Sequence, residues 1–361
     1  MSTIKVNTIT NNGSAVDLPA GVFTINGNGI IQNYTSSATE PSSPSAGDIW
    51  WDSANNTYYV YINSEFKEIG IIIPRAWYGD RAVYIGGVNI SSSTIKYYDI
   101  TTPGNASLFG NTVDIPYENA AVSNGTFVVF MKANATLHYI TTATLGNAQS
   151  FGTNTYGQNH ASACGDGVYG LIAGGNGELN NISRFVMETP GDSTDFGDLT
   201  VGRGHLAAVG GTTRGVFVGG GGNGGVSNGS NIIDYVTIAT PSNATDFGDL
   251  GIANWNYMAA CSDDTRGVIG GGSGDSETNT IEYITVNTTG NSTDFGDLTV
   301  SRRNLVSSGS SVYACFSGGY TGYSVSNVID RITIQTTGNA TDHGDLNGPE
   351  YSGAASSGSA A

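Results

Sequence analysis

Between Arg203 and Leu250, three short runs rich in Val, Ile, Tyr and Phe succeed one another, each bounded by Gly, Asn, Asp or Pro. The first follows Arg203-Gly-His205. The second is Arg214-Gly-Val-Phe-Val and ends in Gly219-Gly220. The third is Asn231-Ile-Ile-Asp-Tyr235-Val-Thr-Ile238. Runs of this length between turn-forming residues predict β-strands, and long helical periodicity is absent. After Pro241 comes Asn-Ala-Thr-Asp-Phe247-Gly-Asp-Leu250, short enough for a fourth, outer strand.

The pattern repeats. Thr-Asp-Phe-Gly-Asp-Leu stands at Thr194–Leu199, Thr245–Leu250 and Thr293–Leu298, and Thr341–Leu346 has His343 in place of Phe. The aromatic positions Phe196, Phe247, Phe295 and His343 are 51, 48 and 48 residues apart. A period near 50 suits a four-stranded propeller blade. Backwards along the chain, Gly-Gly recurs at Gly86-Gly87, Gly174-Gly175, Gly219-Gly220, Gly270-Gly271 and Gly318-Gly319. Phe109-Gly110 and Phe151-Gly152 continue the aromatic series. One repeat lacks the glycines and is read with Phe130-Met131 there. The count is six.

The two ends complement each other. The chain enters at Asp80-Arg-Ala-Val-Tyr-Ile-Gly86-Gly87, a second strand, and leaves through Glu350 to Gly358, a first strand with nothing after it. The C-terminal segment is therefore expected to supply the inner strand of blade one, which removes an exposed sheet edge. The expected fold is all-β: a six-bladed β-propeller closed by the C-terminal strand, preceded by an extended N-terminal arm and a small β-hairpin module. Gly87, Gly175, Gly220, Gly271 and Gly319 serve close backbone approach, and Phe109, Phe151, Phe196, Phe247, Phe295 and His343 mark the outer strands. The small residues Ala207, Ala208, Ala259, Ala260, Ala354 and Ala355 suit crowded inner strands. Taken together, the frame resembles the Kelch repeat over roughly residues 76–361, with Phe or His where that repeat usually has an outer Trp.

Composition agrees with many turns: 53 of 361 residues are Gly and 12% are charged. A net charge of −17 with no basic cluster argues against nucleic-acid partners. Cys164, Cys261 and Cys315 are too few and too scattered for a disulfide framework, and are expected to be buried thiols. The first residues carry no apolar signal core, so general secretion is not expected, and no run reaches the length of a membrane span.

Residues 1–35 alternate short β-prone runs with Asn-Gly turns and read as an anchoring arm. Residues 36–46 form a Ser/Pro linker, and 47–75 a small aromatic β-module with a hairpin around Ser53–Asn56; the propeller takes 76–361. The opening Ser-Thr-Ile-Lys-Val-Asn-Thr-Ile with Leu-Pro-Ala-Gly-Val resembles the attachment region of tailed-bacteriophage fibre and appendage proteins. The stretch around Gly47-Asp-Ile-Trp50-Trp51-Asp resembles a small module of phage tail fibres. The Asn-Ala-Thr-Asp-Phe-Gly-Asp-Leu repeat is similar to those of marine-phage virion proteins. The resemblance implies a virion location, contacts with other virion proteins through residues 1–35, and a homo-oligomer, trimers included.

Candidate chemistry is sparse. The paired carboxylates Asp195/Asp198, Asp246/Asp249, Asp294/Asp297 and Asp342/Asp345 occur in every well-formed repeat, as turn residues do and a single active site does not. Ser292-Thr-Asp294-Phe-Gly296-Asp-Leu-Thr299 resembles the Asp box of sialidases, itself a structural turn. Asn-Ala-Ser/Thr at Asn105, Asn134, Asn243 and Asn339 matches a glycosylation pattern but is read as turn chemistry before the aromatic phrase. No catalytic residue, metal ligand or cofactor is assigned. Where the repeats disagree, binding is expected: Tyr117 with Glu118, Asn159 with His160, Arg203 with His205, Trp255 with Tyr257, Arg302 with Arg303, and Tyr351 would ring one mouth of the channel. The expectation is a non-enzymatic virion protein touching a host glycan or protein or a neighbouring subunit, without nucleic-acid binding or membrane insertion. The alternative is a glycan-processing tail enzyme of sialidase-like type.

Overall fold

The computed structural model describes residues 23–25, 28–30, 34–37, 39–45, 48–52, 57–62, 64–69, 79–87, 93–112, 120–132, 135–177, 179–221, 229–253 and 255–359. The first 22 residues of the expected arm lie outside them. Contacts divide the chain into two units, Met1–Pro74 and Arg75–Ala361.

In the first unit, β1 (Phe23–Ile25) and β2 (Asn28–Ile30) form an antiparallel pair. A second sheet holds β3 (Tyr34–Ser37), β4 (Ile49–Asp52), β5 (Thr57–Ile62) and β6 (Glu65–Ile69) in that order, with β3 parallel to β4. The aromatic hairpin is present, Asp52 facing Thr57, but the Ser/Pro stretch begins inside β3 rather than at its end. Aromatic side chains hold the sheet: the Trp50 ring stacks on Tyr59 at 5.0 Å and meets Phe66 edge-on at 5.4 Å.

The second unit is a six-bladed β-propeller of four-stranded antiparallel blades, and among the described residues there is no helix. Blade one contains β7 (Arg81–Ile85), β8 (Thr94–Asp99) and β9 (Ser107–Asn111). Blade two is β10 (Ala121–Ser123), β11 (Phe127–Met131), β12 (Thr136–Thr141) and β13 (Gln149–Thr153). Blade three is β14 (Ser162–Gly165), β15 (Tyr169–Ala173), β16 (Asn181–Val186) and β17 (Thr194–Asp198). Blade four is β18 (Ala207–Gly210), β19 (Arg214–Val218), β20 (Ile232–Thr237) and β21 (Thr245–Asp249). Blade five is β22 (Ala259–Ser262), β23 (Arg266–Gly270), β24 (Thr280–Thr285) and β25 (Thr293–Asp297). Blade six is β26 (Val306–Gly309), β27 (Tyr313–Ser317), β28 (Val328–Thr333) and β29 (Thr341–Asp345). The last strand, β30 (Ala354–Gly358), pairs with β7 from Ala354–Ile85 to Gly358–Arg81 and closes blade one.

The recurrent aromatic has a geometric reason. In every blade the pairing of third and fourth strands slips by one residue. In blade three Ile182 faces Gly197 and Ser183 faces Asp195, so Phe196 is left over. The extra residue is Phe109, Phe151, Phe247, Phe295 or His343 in the other blades. A bulge turns that side chain off the alternating pleat, and all six aromatics are buried.

The next residue is always glycine, because the following blade's turn lies against it. A Cβ at Gly197, Gly248, Gly296 or Gly344 would stand 2.4–2.5 Å from a carbonyl oxygen of the next blade. That turn also reaches back with its side chain. Asn243 Oδ1 accepts from the Asp198 N–H at 3.1 Å, Asn291 from Asp249 at 3.0 Å, Asn339 from Asp297 at 3.1 Å and Asn105 from Asp345 at 3.0 Å. The first two junctions use Asn147 and Asp192 in the same way. Blade two thus uses Asn147, not Asn134, which lies outside the described residues. The phrase is a clasp between blades.

The glycine pairs are a second clasp. Gly175 donates to the Arg203 carbonyl at 3.0 Å, Gly220 to Trp255 at 2.8 Å, Gly272 to Arg302 at 2.8 Å and Gly319 to Glu350 at 2.8 Å, each in the next blade. Two readings shift here. In blade five the pair is Gly271-Gly272, one residue later than read, since Gly270 is still in β23 and pairs with Ile281. In blade two the equivalent position is Lys132, which donates to Thr136 as Gly174 does to Asn181; Phe130 and Met131 belong to β11. Apolar patterning alone could not set that register, because the loop to the next strand is shorter in this blade.

A third device crosses each blade. Arg81 lies over the Tyr97 ring, Arg214 over Tyr235 and Arg266 over Tyr283, at 4.2–5.0 Å. In blades three and six the partners exchange strands: Arg184 lies over Tyr169 at 4.4 Å and Arg331 over Tyr313 at 4.6 Å. Blade two has Phe127 against Tyr139 instead. Several of these guanidinium groups also donate into the next blade, Arg81 to the Thr142 carbonyl at 2.8 Å and Arg331 to Thr101 at 2.7 Å.

Candidate recognition mouth

Five of the six first strands, β14, β18, β22, β26 and β30, are preceded by a described residue with left-handed backbone: His160, His205, Tyr257, Asn304 and Ser352, with φ between 53° and 58°. Non-glycine residues adopt this region rarely. Here a hydrogen-bonded chain holds them. His205 N–H donates to the His160 carbonyl at 2.9 Å, Tyr257 to His205 at 3.0 Å, Asn304 to Tyr257 at 3.0 Å and Ser352 to Asn304 at 2.9 Å. The five residues line a depression of about 80 Å³ at one end of the inner-strand ring, together with Leu206, Met258 and Leu305. The imidazoles of His160 and His205 lie 3.9 Å apart, and His205 lies 4.1 Å from the Tyr257 ring. Burial, with the neighbouring His160 second, lowers the His205 pKa to about 3, so this imidazole is neutral at ordinary pH.

Outside the ring stands a tyrosine-rich edge. Arg303 lies between Tyr257 and Tyr320, at 5.8 and 5.5 Å from their centroids, and meets Glu277 at 3.5 Å. Tyr320 faces Tyr351 at 6.0 Å. The tight loop after it is pinned by Thr321 and Ser324, and Tyr323 at its tip is 98% exposed.

Two residues before each ring position lies a slot with a different job. Arg203, Trp255 and Arg302 occupy it and are fully buried, so they do not reach the rim as read from the sequence. Arg203 pairs with Asp234 at 2.8 Å and donates to the Gly219 carbonyl; Arg302 pairs with Asp330 at 2.8 Å and donates to Gly318. Trp255 takes the same place with one donor, Nε1 to the Gly271 carbonyl at 2.6 Å. Its blade's carboxylate, Glu282, accepts instead from the Gly251 N–H and the Ser292 hydroxyl. Gln158 fills the slot in blade three, bonding Asn154 and the Asn181 carbonyl. In blade one the charges are exchanged: Glu350 meets Lys96 at 2.5 Å. Burial raises the Glu350 pKa and Lys96 opposes it.

Of the residues read as a rim, the structure gathers His160, His205, Tyr257, Arg303 and Tyr351 at the mouth and sends Arg203, Trp255 and Arg302 into the blades. Asn159 is half-buried beside them, its carbonyl bonded to Asn176. Tyr117 and Glu118 lie outside the described residues. Asn304, Ser352, Tyr320 and Tyr323 were missed. The first two stand two residues after Arg302 and Glu350, the same spacing as Arg203 to His205, and that spacing was the available signal.

The thiols are unactivated. Burial raises all three, Cys261 to about 12. No group of three or more His, Cys, Asp or Glu suited to a metal occurs among the described residues. No known protein-family model matches the chain, and no curated protein matches it significantly. Fold and mouth define the class: a closed six-bladed β-propeller with one polar, aromatic axial mouth.

Proposed function

We propose that the chain is a non-enzymatic structural protein of a tailed-bacteriophage virion, a tail fibre, appendage or decoration built on Kelch-like repeats. Its N-terminal arm anchors it, and the propeller is displayed for contact with the host surface or with neighbouring virion subunits. The observation that carries this reading is the division of labour among the repeats. The repeated Asn, Gly, Arg and aromatic residues join blade to blade, so the repeated phrases serve architecture, while a second set of side chains, which differ from repeat to repeat, meets at an accessible mouth. A rigid body with one variable face suits display. The N-terminal phrases that resemble phage attachment regions supply the anchoring half.

Quantitative mass spectrometry of purified particles tests it. The reading expects the chain at a fixed copy number, released when residues 1–35 are deleted. Absence from particles overturns it, and release of sugar products from host polysaccharide by the full chain would replace it with the glycan-processing reading.

A further inference from the structure

We infer that the axial mouth is a binding site for a neutral saccharide, seated over His160, His205, Tyr257, Asn304 and Ser352 and flanked by Tyr320, Tyr351 and Arg303. This deepens the display reading above and rests on it only in taking the mouth as the outward face.

The lining decides the chemistry. A protein anchor needs an apolar, desolvated pocket for a large side chain. The depression here holds about 80 Å³, and its lining, more polar than apolar, combines imidazole, phenol, amide and hydroxyl groups with Ala161, Leu206, Met258 and Leu305. Those groups offer donors and acceptors in several directions. Asn304 donates to the Ser352 hydroxyl at 2.9 Å through its nitrogen, and its amide oxygen is an acceptor. Sugars present hydroxyls around the ring edge and C–H groups on the ring face. Tyr257, Tyr320 and Tyr351 supply flat, amphipathic rings for the latter, at low conformational cost.

Charge selects among saccharides. The chain carries a net −17, which repels polyanions at long range. The cation at the mouth, Arg303, already has Glu277 at 3.5 Å. An anionic sugar would need a bidentate guanidinium, and the buried Arg203 and Arg302 are committed to Asp234 and Asp330. A neutral sugar meets none of these costs. The preset left-handed backbone ring adds rigidity, so little ordering is needed on binding.

The test is a glycan array probed with the full chain, carrying neutral oligosaccharides ending in glucose, galactose, mannose or N-acetylhexosamine beside sialylated, uronate and sulfated ones. Hits are followed by saturation-transfer NMR. Retention of neutral glycans is expected, weakened about tenfold or more in Tyr351→Ala and Arg303→Ala, with melting temperatures unchanged. Binding confined to anionic glycans, binding unaffected by these variants, or no glycan retained at millimolar concentration overturns the inference. Retention only of a host protein does so too. None of these outcomes bears on copy number in particles, which tests the virion reading separately.

Discussion

The outer rim and the axial mouth are built from the same six repeats under opposite constraints. At the rim every junction solves one problem in one way: a bulged aromatic, a glycine that admits the next blade's turn, and an Asn or Asp oxygen that catches the N–H two positions beyond the aromatic. At the mouth the backbone is equally regular, but its side chains are His, His, Tyr, Asn and Ser. Identity at the rim follows from geometry, since a Cβ or a lost acceptor is felt by two blades at once. Diversity at the mouth is tolerated because the bonds that recur around the ring run from backbone to backbone and do not depend on side-chain identity. Between them lies the slot, where one job is done by different residues: Arg with Asp, Trp with a lone carbonyl, Glu with Lys.

The largest effects should come from the slot. Replacing Lys96 or Glu350 by Ala leaves its partner charged and buried, which costs about 3–5 kcal/mol. Denaturant unfolding of Lys96→Ala should show that loss, while Lys96→Met with Glu350→Leu should recover most of it. Trp255→Ala removes a fully buried ring and should cost about 3–5 kcal/mol by the same measurement. An effect below about 1 kcal/mol in either would mean that the slot does not hold the blades.

Rim variants come next. Gly248→Ala places a Cβ 2.5 Å from the Gly290 carbonyl at φ +146° and should destabilise by about 1–3 kcal/mol. Gly146→Ala, at a turn with open space around it, should stay within about 0.5 kcal/mol. Asn243→Ala deletes one clasp acceptor and should cost about 1 kcal/mol. Equal effects of Gly248→Ala and Gly146→Ala would break the geometric account of the phrase.

The effect that belongs to the mouth appears only with pH. The folded His205 pKa is depressed from 6.5 to about 3, so the unfolded chain binds this proton first. Its contribution to stability is fully present above the unfolded value and is lost as pH falls towards 3. The slope cannot exceed about 1.4 kcal/mol per pH unit, and partial exposure reduces it. His205→Asn should flatten the stability profile between pH 6 and 4 relative to the parent; an unchanged profile would show that His205 is not held neutral.

The period, the six units, the closing strand and the inner small residues were legible because each depends on local strand and turn signals repeated many times. The slot was not. Whether Arg203 points to solvent or into the blade is decided by Asp234, 31 residues later and on another strand. The ring residues Asn304 and Ser352 are short and polar, so that only their spacing from Arg302 and Glu350 marked them; their left-handed backbone shows only in the structure. The cation–π pairs were hidden because Tyr169 with Arg184 reverses the order of Arg214 with Tyr235.

The division between rim and mouth is tested most directly by one melting experiment on two sets of variants. One set is Asn243→Ala, Asn291→Ala and Asn339→Ala; the other is Arg303→Ala, Tyr320→Ala and Tyr351→Ala. A loss of 1 kcal/mol lowers the midpoint of a domain this large by about 2–4 °C. The account predicts that each rim variant falls by about that much and that the mouth variants stay within about 1 °C of the parent. Mouth variants that melt as early as rim variants would contradict it.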